Sequence, residues 1–447
     1  MLIEEVKNKK IAIVGFAREG RDTLAFLAKT FPKKNKSEIA IFDQEKIKET
    51  QALKKQGIFV FTDKNYLDHL KNYQVIIKTP GIPEKKIEPF LGKGARVTSQ
   101  TEIFFANFKG LCIGVTGTKG KGTTATLIYQ ILKEAGFKVK LVGNIGQPVF
   151  QFLLKSKPTD IFVYELSSHQ LQGLKKSPKI AVFLNLFPDH LDYYRDFNSY
   201  KKAKEPIVSF QGKNDFFIYN TEDQTAREFA GKSQAKKIAF NKISLKGDRG
   251  GKVKTLLKGD FNLLNIKAAF AVGKLLGVGE GQMKKTIASF KGLEHRLEYV
   301  GKFRGIGFYN DSMSTLPEVA IKAIEAVKPQ TLIAGGSCKG SDYKEMAKAI
   351  IKHRVKNLIL LEKPRNKRNP GEKETADLLS KELSSFEKGK ELSSFRASKM
   401  KEAVAIAFKE TGKGRVCLLS PGAASFNLFK SYADRGKQFK LSVKVIK

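Results

Sequence analysis

Short apolar runs, each followed by a turn and a longer helical segment, recur along this chain and limit its fold more than any other feature. Lys10–Val14, Glu38–Phe42 and Gln74–Ile77 read as strands, with helical stretches at Thr23–Lys29 and Ile47–Gln56 between them. Leu111–Val115 opens a second series, continued by Lys138–Val142, Ile161–Tyr164 and Ile180–Leu184. A third runs through Gly307–Tyr309, Thr331–Ile333, Asn357–Leu361 and Arg415–Leu419. A strand that is apolar throughout has no wet face, so it belongs in a parallel sheet covered by helices on both sides. Three such series predict an α/β protein of three domains, which a length of 447 residues accommodates. Composition shifts near Thr98–Gly110 and Gly292–Arg296 mark the seams, giving domains at 1–99, 100–292 and 293–447. Gly247–Gly251 and Lys363–Gly371 read as exposed loops. The segment ELSSF occurs at Glu382–Phe386 and again at Glu391–Phe395, too short a duplication for a repeat architecture.

Composition narrows the function classes. With 41% hydrophobic residues and 33 Phe there is material for several cores, which excludes wholesale disorder. Cys112, Cys338 and Cys417 are far apart and in no C-x-x-C pair. That excludes a disulfide framework and a thiolate zinc site, and it fits a reducing cytoplasm. No apolar run approaches the roughly 18–20 residues that span a bilayer, and no secretory h-region follows the charged N-terminus. A soluble cytoplasmic protein is expected. Lys and Arg number 82 against 44 Asp and Glu, a net charge of +38. Such a surplus suits a solvated surface, the steering of small anions, or nucleic-acid binding. The lysines are scattered along the chain, which argues against a dedicated nucleic-acid arm.

The strongest local signal is Gly114-Val-Thr-Gly117-Thr-Lys-Gly120-Lys121-Gly122-Thr123-Thr124, which follows a strand and opens a helical segment running to about Ala135. Glycines there let backbone N–H groups approach a polyphosphate, the helix N-terminus favours negative charge, and a lysine reaches the terminal phosphates. Gly122 stands where Ser or Thr normally offers a hydroxyl to Mg²⁺; Thr123, Thr124 or water are the alternatives. Glu165, in Tyr164-Glu165-Leu-Ser-Ser-His169-Gln170, ends a strand at the edge where α/β proteins bind ligands, a natural place for a Mg²⁺ ligand. His190, in Asn185-Leu-Phe-Pro-Asp189-His190-Leu-Asp192, follows the next strand with carboxylates beside it and suggests a metal or phosphate contact. Tyr200-Lys-Lys-Ala-Lys204 comes next on a helical segment.

In order and approximate spacing these motifs resemble those of the Mur ligases, ATP-dependent amide-forming enzymes of peptidoglycan precursor synthesis, and the likeness covers nearly the whole chain. Gly259-Asp-Phe-Asn262-Leu-Leu-Asn265, Gly292-Leu-Glu-His295-Arg296, Tyr309–Thr315 and Gly335–Asp342 continue the series, and Ser420–Gly436 resembles the glutamate-adding branch. The resemblance implies a Rossmann-like N-terminal domain, a central P-loop ATPase domain with a parallel sheet, and a Rossmann-like C-terminal domain. These would take the UDP-substrate, ATP and the amino acid respectively. It implies phosphorylation of the carboxylate of UDP-N-acetylmuramoyl-L-alanine by ATP, then attack by the amine of D-glutamate on the acyl phosphate. Electrostatic clamping and positioning would carry most of that catalysis.

Carried over residue by residue, the resemblance implies ATP contacts at Gly117, Thr118, Lys119, Gly120, Lys121, Gly122, Thr123, Thr124, Asn262, Asn265, Arg296 and Asp311. It implies catalytic roles for Lys121, Glu165, His190 and Lys204, and a shell for two Mg²⁺ ions from Glu165, His190, Thr123 and a carbamylated Lys204. Phe16, Ala17, Arg18, Asp43, Gly81 and Asn144 would contact the UDP-substrate, and Thr315, Lys339, Ser425 and Tyr432 the glutamate. The partners expected are therefore small molecules, with neither nucleic acid nor membrane insertion, and the chain is expected to be a monomer. The alternative is a relative adding another amino acid, such as a folylpolyglutamate-synthetase-like ligase using L-glutamate. Three positions depart from the family pattern: Gly122, Lys119 where Asn is usual, and Met313 where Lys is frequent.

Overall fold

The computed structural model describes residues 1–32, 38–190, 193–245, 253–338, 340–364, 366, 368, 374–387 and 391–446. The loop expected at Gly247–Gly251 lies outside them, as does most of the one at Lys363–Gly371. In the first series β1 (Ile11–Val14), β2 (Ile39–Phe42), β3 (Phe59–Phe61), β4 (Val75–Lys78) and β5 (Arg96–Thr98) form a sheet of order β3-β2-β1-β4-β5. All of its pairings are parallel. The reason is visible in β1, where side chains alternate between two covered faces. Ile11 and Ile13 enter one core, while Ala12 and Val14 enter the other.

The second series gives β6 (Leu111–Thr116), β7 (Val139–Gly143), β8 (Ile161–Glu165), β9 (Ile180–Phe183), β10 (Phe216–Tyr219) and β11 (Lys236–Ala239). They form a parallel sheet of order β11-β10-β9-β6-β8-β7. One core joins the inner faces of these first two sheets, Phe26 stacking on Phe150 with ring centroids 4.1 Å apart.

The third sheet contains β12 (Glu298–Phe303), β13 (Ile306–Asn310), β14 (Thr331–Ala334), β15 (Asn357–Leu361), β16 (Ser393–Ala397) and β17 (Val416–Leu419), in the order β12-β13-β17-β14-β15-β16. It departs from the all-parallel expectation, because β12 pairs antiparallel with β13. The cause is local. Arg304 (φ 48) and Gly305 (φ 85) are both left-handed, as a two-residue type I′ turn requires, so the chain reverses into a hairpin instead of crossing over. The remaining strands pair in parallel. Leu358 and Leu360 feed one core of this sheet, Ile359 and Leu361 the other.

The contacts divide the chain into two compact units, Met1–Lys246 with Leu264–Thr286, and Gly247–Leu263 with Ile287–Lys447. The first holds two sheets and the second holds one. No helix among the described residues is long and apolar enough to cross a membrane.

Candidate active site

In the second sheet β6 lies between β8 and β9, so the loops leaving all three strands share one edge at the point where the strand order reverses. The glycine-rich loop follows β6 and opens the helix Lys121–Glu134, with left-handed Gly120 (φ 88) as its N-cap. A Cβ on Gly120 would lie 2.3 Å from Asn265 Oδ1, so only glycine lets the helix Asp260–Leu275 seat Asn265 against the loop. Thr124 Oγ1 also donates to Asn265 Oδ1 at 3.3 Å, while Thr123 and Gly122 are buried within the first turn.

Two lysines converge on one carbonyl. Lys121 Nζ donates to Gly117 O at 3.0 Å and Thr118 O at 2.9 Å. Lys204 Nζ, at the end of the helix Phe197–Lys204, donates to the same Gly117 O at 3.1 Å and to Thr116 Oγ1 at 3.3 Å. Lys204 is only 1% exposed. Burial pushes its ammonium well below the usual lysine range and the charge of Lys121 pushes the same way, against the pull of Asp189 and Glu165. Glu165 is buried as the last residue of β8.

His190 sits on the neighbouring loop with a left-handed backbone (φ 55), exposed, its ring 6.1 Å from that of Tyr200. Lys204 Nζ lies 5.1 Å from the same Tyr200 ring, so both groups border one aromatic. Asp189 accepts the His190 N–H at 3.1 Å and pairs with Lys119 Nζ at 3.2 Å. Burial works against its charge, yet Lys119 and that N–H hold its carboxyl below the usual range. Asp192 lies outside the described residues. No group of three or more His, Cys, Asp or Glu side chains that could hold a metal occurs among the described residues.

Sequence reasoning gave Asn185 no role, and the structure gives it one. Its Oδ1 accepts the N–H groups of Thr118 (3.1 Å) and Lys119 (3.0 Å), and its Nδ2 donates to Lys119 O at 3.2 Å. One side chain thus clamps the phosphate loop to the end of β9. The available signal was an amide at the C-terminal end of a strand beside the loop.

On the first sheet, β1 lies between β2 and β4, and of the expected UDP-substrate residues Phe16, Ala17, Arg18, Asp43 and Gly81 follow these strands at the corresponding edge, whereas Asn144 follows β7 of the second sheet. Asp43 Oδ2 accepts the Phe16 N–H at 2.5 Å, and Oδ1 accepts the Glu45 N–H at 2.9 Å. Its carboxylate shapes the turn around Phe16, whose ring is buried. Ala17 caps the helix Arg18–Thr30, Arg18 donates through Nη2 to Gly146 O, and Gly81 and Asn144 are exposed.

In the second unit, the loops after β13 and the adjacent β17 leave the same edge of the third sheet. Asp311 is 4% exposed, and its carboxylate accepts the Leu297 N–H (2.9 Å), Ser420 Oγ (2.9 Å) and Ser314 Oγ. Burial raises its carboxyl to about 6. This group organises its own loops as well as facing the edge. Arg296 is exposed, with Nη2 3.6 Å from Met313 Sδ. Asn262 donates through Nδ2 to Lys258 O at 2.7 Å, in the first turn of its helix. Thr315 and Tyr432 are exposed, Ser425 is buried, and Lys339 lies outside the described residues.

Residues 115–273 match the Mur ligase middle domain, and residues 295–422 the Mur ligase glutamate ligase domain. The UDP-N-acetylmuramoylalanine–D-glutamate ligase of Acetivibrio thermocellus is 33% identical, the alignment covering 98% of this chain and 96% of that protein. The enzyme of the same name from Caldanaerobacter subterraneus subsp. tengcongensis is 32% identical over 98% of this chain and 99% of its own length. Among solved structures, the UDP-N-acetylmuramate-alanine ligase of Thermotoga maritima shares the fold, with a TM-score of 0.57 at 16% identity, covering 98% of this chain and 100% of that one. With its phosphate loop, two site lysines and three sheets placed, and with likeness to such relatives along nearly its full length, the chain belongs to the Mur ligase family.

Proposed function

We propose that the protein is an ATP-dependent ligase that joins D-glutamate to UDP-N-acetylmuramoyl-L-alanine in cytoplasmic peptidoglycan precursor synthesis. The observation that carries this reading is the convergence of Lys121 and buried Lys204 on Gly117 O, beside Glu165, at the N-terminus of a helix. Full-length likeness to ligases of that name supports the choice of substrates.

A carboxylate does not acylate an amine at neutral pH, so it is first phosphorylated by ATP, releasing ADP. The glutamate amine then attacks the acyl phosphate, and the tetrahedral adduct collapses with loss of phosphate and a proton. Negative charge crowds both steps, and fixed cations and N–H dipoles aimed at it lower the barrier. Lys121, which bonds to loop carbonyls, would transfer its donors to β/γ-phosphate oxygens. Backbone N–H groups among Gly120–Thr123 would supply the cradle, while Asn185, engaging those of Thr118 and Lys119, keeps the loop's shape. Asn262, Asn265, Arg296 and Asp311 would serve the nucleotide. Phe16, Ala17, Arg18, Asp43, Gly81 and Asn144 would serve the UDP-substrate, with Thr315, Lys339, Ser425 and Tyr432 for glutamate.

Lys204 fits a modified ligand. CO₂ adds only to an unprotonated amine, and burial favours that form here. Loss of a proton then leaves a carbamate whose oxygens suit a hard cation. Glu165, His190, Thr123 and the Lys204 carbamate would hold Mg²⁺, which supplies charge neutralisation between phosphate and carboxylate oxygens.

The test is phosphate release with single omissions. Turnover should require UDP-N-acetylmuramoyl-L-alanine, D-glutamate, ATP and Mg²⁺ together. Turnover with L-glutamate but not D-glutamate would overturn the stereochemical assignment and favour the folylpolyglutamate-like alternative.

A further inference from the structure

Arg435 is fully buried, on the inward stripe of the helix Tyr432–Val445 that also carries Phe439 and Val443. No ion pair accompanies it among the described residues, and burial lowers its affinity for the proton with no carboxylate to offset it. Its guanidinium instead makes four hydrogen bonds. Nε donates to Ser312 Oγ at 3.0 Å and Nη2 to Ser312 O at 2.9 Å, while Nη1 and Nη2 each donate to Ala423 O at 3.1 Å. Ser312 Oγ in turn donates a hydrogen bond to Tyr432 O at 2.8 Å. Ser312 lies in the turn after β13, and Ala423 in the turn after the adjacent β17.

Burying an unpaired cation opposes folding, and an apolar side chain on that stripe would pack there without the penalty. What the arginine supplies is geometry, because its planar fork fixes several acceptors at once where a lysine offers a point charge. Thr315, Ser425 and Tyr432 stand within three residues of its anchor points Ser312 and Ala423 and of Arg435 itself. The structure assigns Arg435 the role of a positioning residue for the amino-acid subsite: it ties the two turns and the first turn of the last helix together, and so sets the spacing of Thr315, Ser425 and Tyr432. This rests on reading those three residues as the glutamate contacts.

The experiment is steady-state kinetics of Arg435→Lys, Arg435→Met and the milder Ser312→Ala, varying each substrate in turn and checking folding by thermal melting. A displacement of about 1 Å in such contacts costs up to roughly 100-fold. The Arg435 variants should raise KM for D-glutamate about 10-fold or more, with KM for ATP and the UDP-substrate within about twofold. Ser312→Ala should move the same constant in the same direction by less, and it carries the test if the Arg435 variants fail to fold. An unchanged KM for D-glutamate in folded variants, or an equal rise in all three constants, overturns the inference while leaving the ligase reading intact. A wild-type protein that shows no D-glutamate-dependent phosphate release overturns the ligase reading and this inference with it.

Discussion

Glu19 and Asp22, one turn apart on the helix Arg18–Thr30, face the second sheet of the same compact unit, and they make its stability depend on pH. Glu19 Oε1 accepts Gln170 Nε2 at 2.9 Å, and Asp22 Oδ2 accepts both Gln100 Nε2 (2.7 Å) and the Phe150 N–H (3.1 Å). Arg18, Lys78 and Lys29 lie near enough to favour their charges. Burial outweighs them, raising Glu19 from 4.5 to about 7 and Asp22 from 3.8 to about 6. An acid whose folded pKa lies above its unfolded value binds more protons folded than unfolded between the two. Stability from this source is therefore full below about pH 4 and is lost as pH rises through about 6 to 7. At 1.36 kcal/mol per pKa unit the Glu19 shift is worth about 3 kcal/mol, which its partial exposure cuts to about 2. Part of the Glu19 shift comes from the charge of Asp22, so the two effects do not add in full.

Glu19→Gln removes the titration and keeps an acceptor for Gln170. Asp22→Asn likewise leaves one oxygen for its two donors. Either variant should melt higher than wild type at pH 8, by about 4 °C for about 2 kcal/mol in a unit of this size, and the gain should vanish near pH 4.5. Thermal melts from pH 4.5 to 8.5 read this directly. A difference between Glu19→Gln and wild type that stays constant from pH 5 to 8 would refute the reasoning.

Lys204→Ala should be nearly inactive, because it removes the carbamate proposed to hold Mg²⁺ with Glu165 and His190; short-chain carboxylates should restore part of the turnover, and full activity without them would exclude the carbamate. Gly120→Ala forces a Cβ to 2.3 Å from Asn265 Oδ1 in a left-handed backbone. Strain of about 1–3 kcal/mol there should weaken ADP binding about 10-fold or more by calorimetry, whereas unaltered affinity would show that the loop can rearrange freely. Lys119 pairs with Asp189 in a largely exposed bridge, its own side chain 71% accessible. Such pairs contribute about 0.2–1 kcal/mol, so Lys119→Ala should slow turnover no more than about fivefold, and 0.5 M salt should erase most of the difference.

Much of the site was legible because its parts are contiguous. The glycine-rich loop needs its residue types in one short run between a strand and a helix, and the helix expected to reach about Ala135 ends at Glu134. Glu165 and His190 were readable as strand-end residues of β8 and β9. Other elements left weaker traces. β3, β5, β11 and β16 are edge strands, and Arg96–Thr98 or Lys236–Ala239 need not be apolar on both faces when one side has no neighbour. β12 was missed because a left-handed Arg304 makes an unusual type I′ turn. Arg435 did leave a periodic trace, at four-residue spacing with Phe439 and Val443, which places a cation on an apolar stripe.

The two copies of ELSSF divide what the residues determine from what the fold decides. Glu382–Phe386 closes the helix Thr375–Ser384, while the second copy supplies Ser393–Phe395 to β16 beside Asn357–Ile359 of β15. Local propensity is identical, so the choice belongs to the surroundings each copy meets: for one, the core of the third sheet that Leu383 enters with Leu379, for the other an open sheet edge. The same division runs through the active site. By itself the sequence determined three α/β series and a phosphate loop, since alternation and glycine spacing are local properties. Only tertiary structure brought Lys204 to the carbonyl that Lys121 already uses, 83 residues earlier in the chain, and set Arg435 beneath Ser312 and Ala423. Those contacts depend on strand order, which no local pattern encodes.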